Sequence, residues 1–551
     1  MTILLRFSIL FSIFILPLTG FHSLILSDKN QAQAYDVVIY GATAGGITAA
    51  IQVAKMGKTV ALIEPSKHIG GMSVEGLGGT DIDNHKEFQN TAAVGGSSLE
   101  FYRRIAKAYG HEAAFEQMLS KKEKNPDLWD FESKVAEKVF NDWVKEYKIN
   151  VFLNHRLSEN KKAVQKNGTN IVQIQMENGN IFRGKVFIDA TIEGDLLAKA
   201  GVSTTVGREA NSKYNETLNG IRAVTDHAQF KVKVNPYRNP DDPKSGLIPM
   251  IQDEPLGTPG AGDKRLQAFC FRMCLTKNPT NQLPFTKPDG YDRTQYEIYL
   301  RYLKAGGKLY RPDVSIPNGK TDLGAWHDLS HNLYGMNMEY PEGSYAVRER
   351  ILKQHRTFTQ GLFYFLAHDA EVAKLAPELQ KEWALWGLAK DEFTDNGGWP
   401  RQFYVRDARR MVSDYVITEH HVKKVNPIPI EDPVGMAYWP TDVHSVRRIV
   451  KDGYAYNEGS VFEGDYWRPL PISYQALVPK ASECTNLFTP TCPSSSHIAY
   501  GAIRLEWTFM ILGQSTGAAA VLAIDKNSSV QKVDYQSLKQ ILLKEKQVLA
   551  L

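Results

Sequence analysis

Cysteine is scarce in this chain: four in 551 residues, at Cys270, Cys274, Cys484 and Cys492. None makes a C-x-x-C pair, so a structural zinc site, or any other metal site, is not expected. In an oxidising compartment the four allow three pairings. Cys484–Cys492 would close a short loop; buried free thiols are the alternative. Excess charge is missing too, with 65 Lys and Arg against 61 Asp and Glu, a net +4. No basic run is interleaved with aromatics, which sets nucleic acid aside as a partner. Repeats and low-complexity tracts are absent, and the N-terminus has no twin-arginine pair.

What is present starts with length. A chain of 551 residues exceeds one simple core, so two or more domains are expected. Residues 1–26 carry one charged side chain, Arg6, ahead of the apolar run Phe7–Leu16. Ala32-Gln33-Ala34 follows, a pattern suited to signal peptidase. Residues 1–34 thus read as a secretory signal, making the protein secreted or periplasmic. The alternative is an uncleaved membrane anchor over residues 3–26.

The chain is organised around Tyr35–Asp81. A buried-strand pattern, Tyr35–Tyr40, stops at Gly41; a glycine-rich turn, a small-residue helix and a second apolar strand ending at Glu64 follow. Strand, turn, helix, strand is the mononucleotide-binding unit, in which a pyrophosphate meets unpaired N–H groups at a helix start. Gly41 and Gly46 take the first and third glycine positions, while Thr43 stands at the second. Glu64, 18 residues past Gly46, suits a ribose hydroxyl, and Gly70-Gly71 completes Glu-x5-Gly-Gly.

Beyond Asp81, helices are expected at 97–109, 112–122 and 132–148, the last burying Val139, Phe140 and Trp143. Ile171–Met176 and Ile181–Ile188 flank an Asn-Gly turn and predict a β-hairpin. Its second strand runs into Asp189-Ala190-Thr191-Ile192-Glu193-Gly194-Asp195, a strand-to-helix turn. Residues 206–470 show no βαβ rhythm and read as an inserted domain. Gly257–Gly262 follows no strand, so a second nucleotide unit is missing. From about Pro471 the chain returns to the first domain, ending on an apolar helix rich in small residues.

These stretches resemble the FAD-dependent oxidoreductase family with the glutathione-reductase-type fold, whose bacterial members often carry the label "xanthan lyase-like". Matching segments are GATAGGITAA, EPSKHIGGM, GLGGTDI, FIDATIEGDLLAKAGV, RQFYVRDARRMVSDYVITEH, PISYQALVPK and SSSHIAYGAIRLEWTFMILGQSTGAAA. Departures are Thr43 for glycine, Ser133 and Trp507 where proline is usual, and His421 for an acidic residue.

The resemblance implies an α/β, Rossmann-like FAD-binding domain with an inserted hairpin, spanning 35–205 and 471–551, plus an α+β substrate domain over 206–470. FAD would touch Gly41, Thr43, Ala44, Gly45, Gly46, Glu64, Pro65, His68, Gly70, Gly71, Met72 and Gly79. Asp189, Ala190, Thr191, Glu193, Asp195, Gly501 and Arg504 complete that set. Without an NAD(P)H unit, electrons would come from a small polar substrate (sugar, polyol or hydroxy acid) and leave to oxygen, a quinone or a redox protein. His497 is the first choice for the base, with Tyr500 beside it. Arg406 and Arg410, facing one way on a strand, would clamp a carboxylate. The competing reading is a polysaccharide-acting protein whose flavin is structural.

Overall fold

The computed structural model describes residues 32–86, 88–462 and 468–551. The expected leader falls almost wholly outside them. Strand β1 (Gln33–Tyr40) begins two residues ahead of Tyr35, with Gln33 and Ala34 paired to Phe182 and Arg183.

Helix α1 (Ala44–Lys55) connects β1 to β2 (Val60–Ile63). Val37 to Tyr40 and Val60 to Ile63 are almost fully buried, which is why both strands read as unbroken apolar runs rather than alternating ones. Helices α2 (Gly96–Ala108) and α3 (Ser133–Glu146) follow. Then β3 (Asn150–Phe152) adds to β2 in parallel. Strands β4 (Val164–Asn167), β5 (Asn170–Gln175) and β6 (Ile181–Asp189) form an antiparallel meander. Nearly the whole of β6 runs parallel to β1, from Gln33 opposite Phe182 to Tyr40 opposite Asp189. The sheet order is β3-β2-β1-β6-β5-β4, and β7 (Leu487–Phe488) lies parallel to the end of β6. The carboxyl ends of β1, β2 and β6 therefore open on one edge, where open α/β sheets place their ligands.

Helix α5 (Glu506–Asp525) is long and apolar enough to cross a membrane, yet it is buried against α1. Glycines set the distance. A Cβ on Gly513 would lie 2.0 Å from the Gly45 carbonyl oxygen, and one on Gly45 would lie 2.8 Å from that of Phe509.

A second core, rich in aromatics, forms around helix α4 (Tyr345–His368), inserted in sequence between β6 and β7, and includes Phe271, Tyr296 and Trp383. It draws most of its side chains from Val234 to Ala408. Ile417, Val434, Met436 and Ala437 belong to the first core, and Val450 and Ala455 pack into the second again, so the chain crosses between the two before residue 471. All four cysteines are buried and unpaired.

Candidate active site

Where β1, β2 and β6 end, a cavity of about 250 Å³ opens. Gly41, Thr43, Glu64, Pro65, His68, Gly71, Met72, Thr191, Glu193 and Asp195 line it, together with Arg156, Arg348 and Arg401. Gly41 turns the chain at φ +100°, and a Cβ there would press on Ala190 and Thr191 at 2.7 Å. Thr43 is the N-cap of α1: its Oγ1 accepts from the Gly46 N–H and donates to the Ala190 carbonyl at 2.8 Å. Its hydroxyl is thus committed to the helix start. The carboxylate of Glu64 accepts from the Ala42 and Ser66 N–H groups at 2.9 and 2.8 Å, while burial raises its pKa. His68 uses both ring nitrogens, on Glu137 and Asp395. Asp195 holds Arg348 through two bonds of 2.7 Å. The helix start favours an anion, while the three guanidiniums are each already paired, Arg156 with Glu177 and Glu349, Arg348 with Asp195, and Arg401 with Glu75 and Asp395.

Six of the expected cofactor residues stand behind this wall. Ala44, Gly45 and Gly46 are buried in α1, and a Cβ on Gly46 would meet the Gly41 carbonyl at 2.0 Å. Gly70 makes room for Val74 and Phe140. Ala190 packs under Gly41. Asp189 is fully buried and accepts from Thr191 and from the Leu197 N–H, so it fastens the turn rather than reaching the cavity.

A second cavity, about 560 Å³, lies next to the first. The turn Gly71–Val74 is shared: Met72 and Val74 face the first, Ser73 the second. The extended segment 403–406 forms the rest of the partition. Phe403 and Val405 line one side, Tyr404 and Arg406 the other, as alternation along an extended chain requires. Gly79, Asp81, Arg272, Trp326, Asp442, His444, Arg504 and Glu506 complete much of the second wall.

Its electrostatics are unusual. Burial raises Asp81 to about 6, against the pull of Arg272. Burial alone pushes Glu506, at the start of α5, to about 8. His444 is held well below the ordinary imidazole range by burial and then by Arg406, Arg504, His227 and Arg272. At neutral pH the cavity therefore holds a neutral imidazole and a largely protonated Glu506 among three guanidiniums.

The expected catalytic set is not assembled here. His497 is buried behind this wall, with Nδ1 3.2 Å from Asp407. Tyr500 donates to the Thr491 carbonyl. Arg410 is buried on Glu209 and the carbonyls of Gly207 and Ser495. Arg406 does line the second cavity, but its terminal nitrogens end on Ala268, Ala325, Asn332 and Cys270. Arg406 and Arg410 thus diverge and form no clamp. Gly501 only gives room to Val443 and Asp442. Gly79 and Arg504 reach the second cavity rather than the first.

Two departures from the family pattern have local explanations. His421 completes a capping box on the short helix Glu419–Val422, its Nδ1 accepting from the Thr418 N–H at 3.0 Å. That is the work an acidic residue does at this position. Ser133 Oγ accepts from the Gly76 N–H. Sequence reading missed Asp81, Arg272 and Glu506. Asp442 and His444 have no regular ligand spacing in the sequence, and nothing in the pattern around Arg272 marks it. One acidic cluster, Glu132, Asp391 and Glu392, has metal-like spacing, but Lys320 Nζ sits among the three at 2.6–2.8 Å.

A family model described as FAD dependent oxidoreductase matches residues 36–542. The chain belongs to that family. Its cofactor is FAD. No curated protein sequence matches. Solved structures similar to parts of it include L-amino acid deaminase from Proteus vulgaris, at 13% identity over 33% of this chain and 54% of that one, TM-score 0.23. Thioredoxin reductase of T. acidophilum matches at 18% over 33% and 40%, TM-score 0.18. A flavin monooxygenase variant from Stenotrophomonas maltophilia matches at 12% over 29% and 38%, TM-score 0.18. The chain spans less than two thirds of each, and scores this low say nothing of substrate.

The residues present fit FAD. The first cavity has a helix start, a glycine turn with no side chain to block it, and Glu64 at the end of β2. At the second, Glu506 Oε2 and Trp507 Nε1 are successive polar atoms without hydrogen-bond partners among the described residues.

Proposed function

We propose that the protein is an FAD-dependent oxidoreductase that oxidises a small polar organic substrate in the second cavity. In this reading, Gly41, Thr43, Gly71 and the first turn of α1 take the diphosphate, and Glu64 takes the ribose. The start of α5 borders the redox end. When bound, FAD accepts a hydride from a carbon that carries a hydroxyl group.

The chain's own residues then have to take the hydroxyl proton and exclude water. Asp81 is the group suited to the proton, because a base works best with a pKa near the working pH. His444, held neutral, offers a hydrogen bond without adding charge. Tyr404, Trp439 and Trp507 wall the space with rings that keep water out. Loss of hydride and proton leaves a carbonyl on the substrate, and the two electrons pass on to oxygen, a quinone or a redox protein. The export reading of residues 1–34 belongs to the same proposal, and N-terminal sequencing of the purified protein tests it.

The observation that carries this reading is the pair of adjoining cavities, one built for a diphosphate and one for acid–base chemistry, divided by single-residue alternation at 403–406. Anaerobic addition of substrate should bleach the flavin band, and kcat/KM should fall below a pH near 6, a limb missing in Asp81→Asn. Cleavage of a polysaccharide with the flavin still oxidised would overturn it.

A further inference from the structure

Three guanidiniums reach the second cavity, and they are not equivalent. Arg504 spends Nη1 on the Tyr404 hydroxyl at 2.6 Å and Nη2 on Asp442 at 3.0 Å. Arg406 spends both terminal nitrogens on its acceptors. Arg272 is tied only through Nε, to Asp322 Oδ1 at 2.6 Å. The other oxygen of Asp322 accepts from the Gly79 N–H at 2.8 Å, so that carboxylate is fixed from two sides. Nη1 and Nη2 of Arg272 have no acceptor among the described residues.

The backbone is shaped around this side chain. A Cβ on Gly324 would sit 2.0 Å from Arg272 Nη1, and one on Gly76 would sit 1.9 Å from the Arg272 carbonyl oxygen. Both positions need glycine for the fork to lie where it does. A positioned guanidinium with two parallel free N–H edges matches a carboxylate, not a lone hydroxyl.

From this arrangement we infer that Arg272 is the substrate's carboxylate anchor, and that the substrate is a small hydroxy acid, sugar acids included. The inference rests on the oxidoreductase reading and narrows it. The carboxylate would lie across Nη1 and Nη2, leaving the oxidisable hydroxyl toward Asp81, which is close enough to Arg272 for each to shift the other's pKa. Asp81 also feels Asp442 and Asp322, and Asp130 feels Asp81 in turn. Arg272 lowers Asp81, so a bound carboxylate that neutralises Arg272 lets Asp81 rise.

The test pairs acids with neutral counterparts: glycolate with ethylene glycol, lactate with propane-1,2-diol, gluconate with sorbitol, galacturonate with galactose. Each is scored by anaerobic flavin bleaching, and each acid also by binding to the holoenzyme. An acid should outperform its neutral partner, and Arg272→Gln should lower its kcat/KM about 100-fold, as losing hydrogen bonds to a charged group implies. Arg272→Lys, which keeps the charge and Asp322's partner, should recover only part. For the acid, the acidic limb of kcat should lie above that of kcat/KM, and this gap should vanish in Arg272→Gln. Neutral partners reducing flavin as well as the acids, with Arg272→Gln unselective, would overturn the anchor and leave the oxidoreductase reading intact. Acid binding that depends on Arg272 without any bleaching would do the reverse. Neither binding nor bleaching by any acid would overturn both.

Discussion

Replacing Gly513 by alanine isolates the contact on which the cofactor groove depends. In a free helix the change is favourable by about 1 kcal/mol. Here the new Cβ would stand 2.0 Å from the Gly45 carbonyl and 2.4 Å from Thr48 Oγ1. Thr48 Oγ1 also donates to the Met510 carbonyl at 2.8 Å and has no free space to retreat into. Relieving the clash requires α1 and α5 to part by about 1 Å, which forfeits a quarter to a half of the dispersion along their seam. Overpacking of this kind costs about 1–3 kcal/mol, and a backbone clash belongs at the upper end. The net expectation is a loss of about 2 kcal/mol. Because Gly45 lies in the first turn of α1, the displacement also moves the helix start that faces the diphosphate. Guanidinium denaturation of the purified variant gives the stability, and the flavin-to-protein absorbance ratio gives occupancy. Both should fall. A variant that gains about 1 kcal/mol and keeps its flavin would show that the two helices are not in backbone contact.

Two further outcomes are expected. Lys320→Met should cost about 3–5 kcal/mol in chemical denaturation, because it strands Glu392 as a buried carboxylate without its cation and leaves Glu132 only Lys134 at 3.3 Å; an unchanged midpoint would refute the ion-pair account. Glu506, raised to about 8 in the folded protein, binds its proton more tightly there than in the unfolded chain. Its contribution is therefore complete below the ordinary glutamate pKa and lost as pH rises through about 8, with a slope of about 1.4 kcal/mol per pH unit between. Glu506→Gln should remove that slope from the cofactor-free protein, and a wild-type profile retained in the variant would count against it.

The β1–α1–β2 unit, Glu64 and the β5–β6 hairpin were legible because local spacing encodes them: a glycine turn, an acidic residue at a set distance, an Asn-Gly pair. The second cavity was not. Asp81, Arg272, His444 and Glu506 come from four distant segments with no shared period, brought together only when the inserted domain folds onto the sheet. His497 misled for a related reason. His497 lies next to α5 in sequence, but Asp407 and the packing around it enclose the ring. Between 417 and 455 the chain alternates between the two cores, Ile417 to Ala437 packing into the first and Val450 and Ala455 into the second, an exchange that no βαβ signal announces.

The most direct measurement is a crystal structure of the purified protein with FAD. The account predicts the diphosphate within hydrogen-bond reach of the first turn of α1, the ribose at Glu64, and the ring system bordering the start of α5 beside Asp81 and Arg272. A flavin lodged elsewhere, or a groove at Gly41 and Thr43 filled by side chains in a colourless protein, would contradict it.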